Sequence, residues 1–200
     1  MLYYERKLKK VGCSLIIGVD EAGRGPLAGP VVACAVTLRS FSFAERIDDS
    51  KKLTPRQRES AFREIIKKSD FSLGIISEKD IDRRNILVAT CLAMEEAVNG
   101  LMEKVCCRDK NTAHVLVDGN LRLNLGMPYT NIIGGDSRSK SIACASILAK
   151  VLRDRIMCIY DKFYPQYGFM QHKGYPTKGH FRALERFGVS RIHRLTFCGV

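Results

Sequence analysis

The residues best placed to do chemistry are four carboxylates. Asp20 and Glu21 follow the apolar run Leu15 to Val19, with Gly18 inside it, and lead into Ala22-Gly23-Arg24-Gly25-Pro26-Leu27-Ala28-Gly29-Pro30. Asp118 ends Val115-Leu116-Val117 and precedes Gly119, while Asp136 follows Ile132-Ile133-Gly134-Gly135. In a chain that alternates strands and helices, acids at strand ends can converge, because sites in α/β sheets form beyond the carboxyl ends of the strands. Four converging carboxylates repel one another unless cations join them. An all-oxygen donor set favours Mg²⁺ or Mn²⁺ over zinc, which wants His or Cys at suitable spacing. Two such ions about 4 Å apart stabilise the attacking and leaving oxygens of phosphodiester cleavage, so the pattern points to a metal-dependent nuclease. Asp136 has a second reading of nearly equal weight, as the N-cap of a helix expected from about Arg138 to Phe163. Arg138 and Lys140 in that helix's first turn oppose its dipole, which fits better beside phosphate and metal than beside water.

The glycine-rich turn adds a binding element. Successive side chains on a strand point to opposite faces, so Asp20 and Glu21 can share one ligand only if the strand bends at them. Gly23 and Gly25 supply that freedom and let backbone N–H groups approach a ligand closely. Arg24 between them suits a phosphate or ribose next to a bound hard cation. Lys51, ahead of a helix start, is either a solvated turn residue or a phosphate contact. Tyr175 lies in the loop Gln171-His172-Lys173-Gly174-Tyr175-Pro176-Thr177-Lys178. An aromatic among basic residues suits stacking on a sugar or base, although a ring packed down onto the protein is the simpler reading.

The elements that must hold these residues can be read from periodicity and caps. Leu15 to Val19 and Val31 to Leu38 read as strands paired across the turn. Thr54 and Gln57 form a capping box with Pro55 at the first helical position, which predicts a helix to about Lys68. Phe71 to Ser77 reads as a strand. Asp80-Ile81-Asp82 then opens one long helical stretch with a core stripe of Leu87, Cys91, Met94, Val98 and Leu101. Cys106 to Asn111 is a polar connection into the buried strand containing Val115 to Val117, where His114 reads as a satisfied structural histidine. Thr177 caps a last helix to about Phe187.

Composition bounds the function. The chain has 200 residues, 46% of them hydrophobic, and no window of eighteen uninterrupted apolar residues. That predicts one compact unit with a real core and no membrane span. The N-terminus Met1-Leu2-Tyr3-Tyr4-Glu5-Arg6-Lys7 lacks the apolar middle of a signal peptide, so a cytoplasmic location is expected. Eight cysteines, none spaced Cys-x-x-Cys, read as reduced core thiols. A net charge of +12 implies an anionic partner, most often nucleic acid.

The run Gly18-Val19-Asp20-Glu21-Ala22-Gly23-Arg24-Gly25-Pro26-Leu27-Ala28-Gly29-Pro30-Val31-Val32-Ala33 closely resembles the signature of ribonuclease HII. The resemblance continues through Asp49-Ser50-Lys51-Lys52-Leu53, Val117-Asp118-Gly119, Gly135-Asp136-Ser137, Ala145-Ser146-Ile147-Leu148-Ala149-Lys150, His172 to Thr177 and Ile192-His193-Arg194. It implies an α/β, ribonuclease H-like fold, a mixed central sheet flanked by helices with a small helical C-terminal part from about residue 165. The implied activity is two-metal endonucleolytic cleavage of RNA in RNA–DNA hybrids and 5′ of ribonucleotides embedded in duplex DNA, leaving a 3′-hydroxyl, as in ribonucleotide excision repair. It further implies that Asp20, Glu21, Asp118 and Asp136 bind the metals, that Gly23-Arg24-Gly25 reads the 2′-hydroxyl, that Tyr175 stacks on the sugar and that Lys51 meets phosphate. A monomer acting on hybrid or ribonucleotide-containing duplex is expected.

Overall fold

A computed structural model describes residues 1–105 and 112–200; the connection expected over Cys106 to Asn111 lies outside the described residues. A helix α1 (Tyr3–Lys10) precedes strands β1 (Leu15–Ala22) and β2 (Val31–Leu38), then come α2 (Pro55–Lys68), β3 (Ser69–Ile76), α3 (Glu78–Arg84) and α4 (Ile86–Lys104). Strands β4 (Ala113–Asp118) and β5 (Tyr129–Ile132) follow, then the long α5 (Lys140–Phe163), the short α6 (Phe169–His172) and α7 (Lys178–Phe187). The strands form one sheet in the order β3-β2-β1-β4-β5. β2 runs antiparallel to both β1 and β3, whereas β4 runs parallel to β1 and to β5, so the sheet is mixed, as expected.

Both faces of the sheet are covered, which is why β1 and β2 are almost continuously apolar rather than alternating. Ile17, Val19, Ala33 and Val117 pack with α4 through Ala93, Met94, Ala97 and Leu101. On the other face Cys34 and Val36 pack with Phe62 and Ile65 of α2 and with Ala143, Ile147 and Leu148 of α5. Small residues let α5 come very close to β1. A Cβ built on Gly18 would collide with the Ser141 carbonyl carbon. That contact sets the height at which α5 passes the strand that carries Asp20.

The capping box on α2, with Thr54 and Gln57 bonded reciprocally, forms where the sequence predicts it. Thr177 likewise caps α7 through the His180 N–H. His114 bonds Thr130 Oγ1 at 2.8 Å, a structural role.

Four expectations are corrected. The stretch opened by Asp80 is two helices, because Asn85 takes φ 70°, ends α3 and caps α4 with its own side chain. Leu87, placed in the core stripe by spacing, is 51% exposed, whereas Met94, Val98 and Leu101 of that stripe are fully buried as expected and are joined in the core by Ala89, Ala93 and Ala97. The N-cap of α5 is Ser139, which accepts from the Ile142 N–H, so Asp136 is not that cap. The cysteine expectation holds only in part: all six described thiols are free, Cys34 and Cys144 are buried and Cys13 and Cys91 pack against the core, but Cys198 is exposed.

The α5 N-terminus also receives an acid the sequence reading did not use. Glu5 of α1 is buried, and its Oε1 accepts from Ser139 Oγ at 2.7 Å and from the Ser141 N–H at 3.0 Å. A carboxylate at this end satisfies orphan donors and complements the dipole. Lys140 and Arg138 turn elsewhere, Lys140 to the Phe41 carbonyl and Arg138 onto the Tyr4 ring. The reading of a basic first turn facing phosphate is therefore corrected.

Because β1 and α5 touch backbone to backbone at Gly18, Gly18→Ala should lower stability by about 1–3 kcal/mol through overpacking. A urea midpoint unchanged from wild type at unchanged slope would contradict this account of the close approach.

Candidate active site

The site lies where β1 outruns its parallel neighbour. β1 pairs with β4 only as far as Val19 opposite Val117, yet it continues against β2 through Asp20, Glu21 and Ala22. The strand therefore does not bend at the acidic pair, contrary to the expectation from its alternation. Both side chains still reach one cleft, because the β4 side of the strand is unpaired beyond Val19 and a neighbour no longer separates the two faces. The cleft, about 440 Å³, is lined by the acids Asp20, Glu21 and Asp118 together with Gly23, Arg24, Gly25, Lys51 and Tyr175. Asp136 is not in that lining. It sits in the turn Gly135–Ser137, close enough to Asp118 and Asp49 for their charges to act on it.

Each acid is held by a named contact. Asp20 is 5% exposed; its Oδ1 accepts the Glu21 N–H at 2.7 Å and its carboxyl is hydrogen-bonded by Ser146. Ser146 Oγ also lies 3.0 Å from Ser50 Oγ, a hydroxyl–hydroxyl hydrogen bond that links Asp20 to the segment bearing Lys51. Asp118 Oδ1 accepts the Gly135 N–H at 2.6 Å. A Cβ on Gly135 would sit 3.2 Å from that oxygen and collide harder with Ile142, so the glycine next to Asp136 also makes room for Asp118. Glu21 pairs with Arg24, Oε1 to Nη1, at 3.4 Å.

The electrostatics follow from burial. Desolvation pushes Asp20 well above the usual carboxylate range, and the charges of Glu21 and Asp118 push it further. Burial also raises Glu21, with Arg24 opposing. Asp136 is raised by burial and by the charges of Asp49 and Asp118, with Lys51 opposing. Asp49, a fifth acid next to Asp136, escaped the sequence reading because it is read most simply as a turn residue.

Among the described residues no group of three or more His, Cys, Asp or Glu forms a ready-made metal cage. That does not conflict with the donor chemistry. Mg²⁺ keeps several waters and is usually held by one or two carboxylates plus substrate phosphate, not by an all-protein shell. Clustered, desolvated carboxylate oxygens with no soft ligand among them fit such an ion.

The residues Gly23, Gly25 and Tyr175 that share the cleft sit on loops tied to the C-terminal part. Tyr175 is 39% exposed and not packed down; Lys150 Nζ lies 5.5 Å and the Arg153 guanidinium 6.0 Å from its ring centre. A Cβ on Gly25 would stand 3.8 Å from the Tyr175 ring, in otherwise open space. Gly23 differs: it has φ 103°, and a Cβ there would run into the Arg153 side chain. The freedom of Gly23 thus serves packing beneath the loop, and that of Gly25 keeps the gap before Tyr175 open. The Tyr175 carbonyl meets His180 Nδ1 at 3.0 Å, and His180 Nε2 meets His193 Nε2 at 3.0 Å. Burial and the neighbouring His180 push His193 down to about 4, so it is neutral at physiological pH. Arg153, Arg194 and this histidine pair support the site, but nothing in their local sequence spacing announces it.

The sign of the acid shifts gives a test. An acid whose folded pKa lies above its unfolded value costs stability as pH rises through that interval, and the cost persists above it. Asp20→Asn should therefore raise the melting temperature of the ion-free protein at pH 7, by about 2–4 °C for each kcal/mol relieved. The gain should vanish as pH falls below the ordinary carboxylate range. Scanning calorimetry in EDTA showing no gain at pH 7 would mean Asp20 is not strained by its surroundings.

A family model described as Ribonuclease HII matches residues 17–200. The ribonuclease HII of Ruminiclostridium cellulolyticum is 50% identical over 198 residues, covering 98% of this chain and 75% of the relative. That of Syntrophotalea carbinolica is 44% identical over 200 residues, covering 100% and 92%. Among solved structures, the PCNA:RNase HII complex from Archaeoglobus fulgidus matches with TM-score 0.71 at 20% identity, covering 92% of this chain and 95% of that one. Bst-RNase HIII in complex with Mn²⁺ matches with TM-score 0.70 at 15% identity, covering 96% and 70%, and at such identities these likenesses establish a shared ribonuclease H-like fold. With the family model spanning nearly the whole chain and identities near one half over its full length, the chain belongs to the ribonuclease HII family.

Proposed function

We propose that this protein is an endonuclease that hydrolyses the RNA strand of RNA–DNA hybrids and incises 5′ of ribonucleotides embedded in duplex DNA, leaving a 3′-hydroxyl and a 5′-phosphate. The observation that carries the reading is the gathering of two unlike groups in one cleft, the acids Asp20, Glu21 and Asp118 and, with them, Gly25 and Tyr175. The net charge of +12 suits a polyanionic substrate, and the acids would only repel it if left without cations. Activity in the cytoplasm as a monomer is part of the same proposal.

In this reading Asp20, Glu21, Asp118 and Asp136 hold divalent ions, Mg²⁺ or Mn²⁺, two per site. When bound, the ions supply charge stabilisation at the attacking and leaving oxygens. Ser146 and the Gly135 N–H keep Asp20 and Asp118 aimed into the cleft. Arg24, held toward Glu21, and Lys51, beside Asp136, offer cationic contacts to phosphates flanking the cut. The Gly23-Arg24-Gly25 backbone reads the 2′-hydroxyl, the one group that distinguishes RNA from DNA, while Tyr175 stacks on the sugar.

A duplex with one embedded ribonucleotide should be cut 5′ of that residue with either ion, and an all-DNA duplex should not be cut. Equal cutting of the DNA control would favour an unspecific nuclease, and no cutting at all a non-catalytic binder. Asp118→Asn keeps an acceptor for the Gly135 N–H, so the variant should fold and bind hybrid. Losing that charge should slow turnover on the order of a hundredfold or more. Near-normal turnover would remove Asp118 from the mechanism.

Gly25→Ala gives an independent test of the gap between Gly25 and Tyr175. Its Cβ enters open space, so the melting temperature should stay within a degree or two while cleavage at the single ribonucleotide collapses. Retained cleavage would show that the gap before Tyr175 does not seat the sugar.

A further inference from the structure

Two arginines, both fully buried, donate to main-chain carbonyls around the glycine turn. Arg153, on α5, donates to the Pro30, Ala28 and Lys173 carbonyls at 3.0, 3.1 and 3.0 Å. Arg194, in the C-terminal segment, donates to Gly23 at 2.6 Å, to Arg24 at 3.0 Å, and to Gly29 from two nitrogens at 2.7 and 2.9 Å. Buried charges are normally paired with an acid; here the partners are carbonyl dipoles. The stretches tied together are the recognition turn, the Ala28–Pro30 segment and the loop that carries Tyr175. Main-chain bonds from Leu27 to Gly174 and from Arg194 to Leu27, both 2.8 Å, run beside the same junction.

This arrangement has a directional consequence. In a trans peptide the C=O and the following N–H point opposite ways. Pulling the carbonyls of Gly23 and Arg24 onto Arg194 turns the N–H groups of Arg24 and Gly25 the other way. Among the described residues those two N–H groups have no main-chain partner. Arg153 fills the space that a Cβ on Gly23 would need, so the turn is held from below by one guanidinium and from behind by the other.

We propose that Arg153 and Arg194 are positioning residues that set the aim of the Arg24 and Gly25 amides and their distance from Tyr175, and thereby set the selectivity for a ribonucleotide. This rests on the reading that the turn recognises a 2′-hydroxyl. Lysine at either position keeps the charge but cannot span several carbonyls with a planar fork.

The test is a double-variant cycle on the duplex with one embedded ribonucleotide. Arg194→Lys should lower kcat/KM on the order of a hundredfold, as expected for a misaimed binding element. Combined with Gly25→Ala it should add little further loss, because both act on the same turn. Thermal stabilisation of the substrate-free protein by Mn²⁺ should be unchanged in Arg194→Lys, since the carboxylates are untouched. A merely structural role would instead give losses that multiply in the double variant, and that result would overturn the proposal. Arg153→Lys, followed by circular dichroism at the assay temperature, gives the same test from the other arginine. If neither variant folds, the pair holds the fold itself and the proposal is likewise overturned. Failure of the wild type to prefer the ribonucleotide over all-DNA would sink the proposed function, whereas a selective wild type with multiplying losses would sink only this inference.

Discussion

Burying the Asp20 carboxylate at the end of a sheet, beside Glu21 and within reach of Asp118, is the constraint on which the rest of the structure depends. Desolvation and like charge both disfavour its ionised form, so it stays in place only because the surroundings over-determine it. β1 is locked between β2 and β4, and α5 presses against it at Gly18. Ser146, one turn further along α5, then falls at hydrogen-bonding distance from the acid. The helix that sets Asp20 is itself fixed at its start by Glu5, a buried carboxylate whose task is structural rather than chemical.

The glycine turn beside the acids poses a different problem. It cannot be held by its own side chains at Gly23 and Gly25, because glycines have none. Its rigidity comes from below, through guanidinium groups bonded to its carbonyls and through the C-terminal cluster of Tyr167, Phe169 and Ile192 packed against Ala28 and Met157. The C-terminal part is thus no appendage: it carries Tyr175 and supplies Arg194, one of the two guanidinium groups bonded to the turn's carbonyls. Asp20, Glu21 and Asp118 belong to the sheet and Gly25 and Tyr175 to loops, and α5 carries contacts to both sets through Ser146 and Arg153.

Much of this was legible in the chain. The strand over Val31–Leu38, the capping box of α2, the Thr177 cap of α7 and the ends of both helices follow from local rules, because caps and alternation act over a few residues. Local rules failed where a distant contact decided the outcome. Asp136 looked like a cap because it precedes a helix, but Ser139 is closer in geometry and Glu5 completes that end from far away in sequence. Leu87 matched a core spacing that Met94, Val98 and Leu101 fulfil, yet the break at Asn85 places it in the first turn of α4, where it is exposed. The strand was expected to bend at Asp20, because alternation alone cannot show that β4 stops pairing there.

By itself the sequence determined which residues carry charge at the ends of apolar runs, where a chain could turn tightly, and the family to which those motifs belong. Such information sits in residue identity and short spacing. Only the tertiary structure decided that eight of the nine singled-out positions line one cleft while Asp136 stands at its margin, and that Gly23 and Gly25 have different tasks. It also decided that Arg153 and Arg194 organise the recognition turn. The physical reason is that these outcomes depend on contacts between residues more than a hundred positions apart, and no local periodicity encodes which carbonyl a buried guanidinium will find.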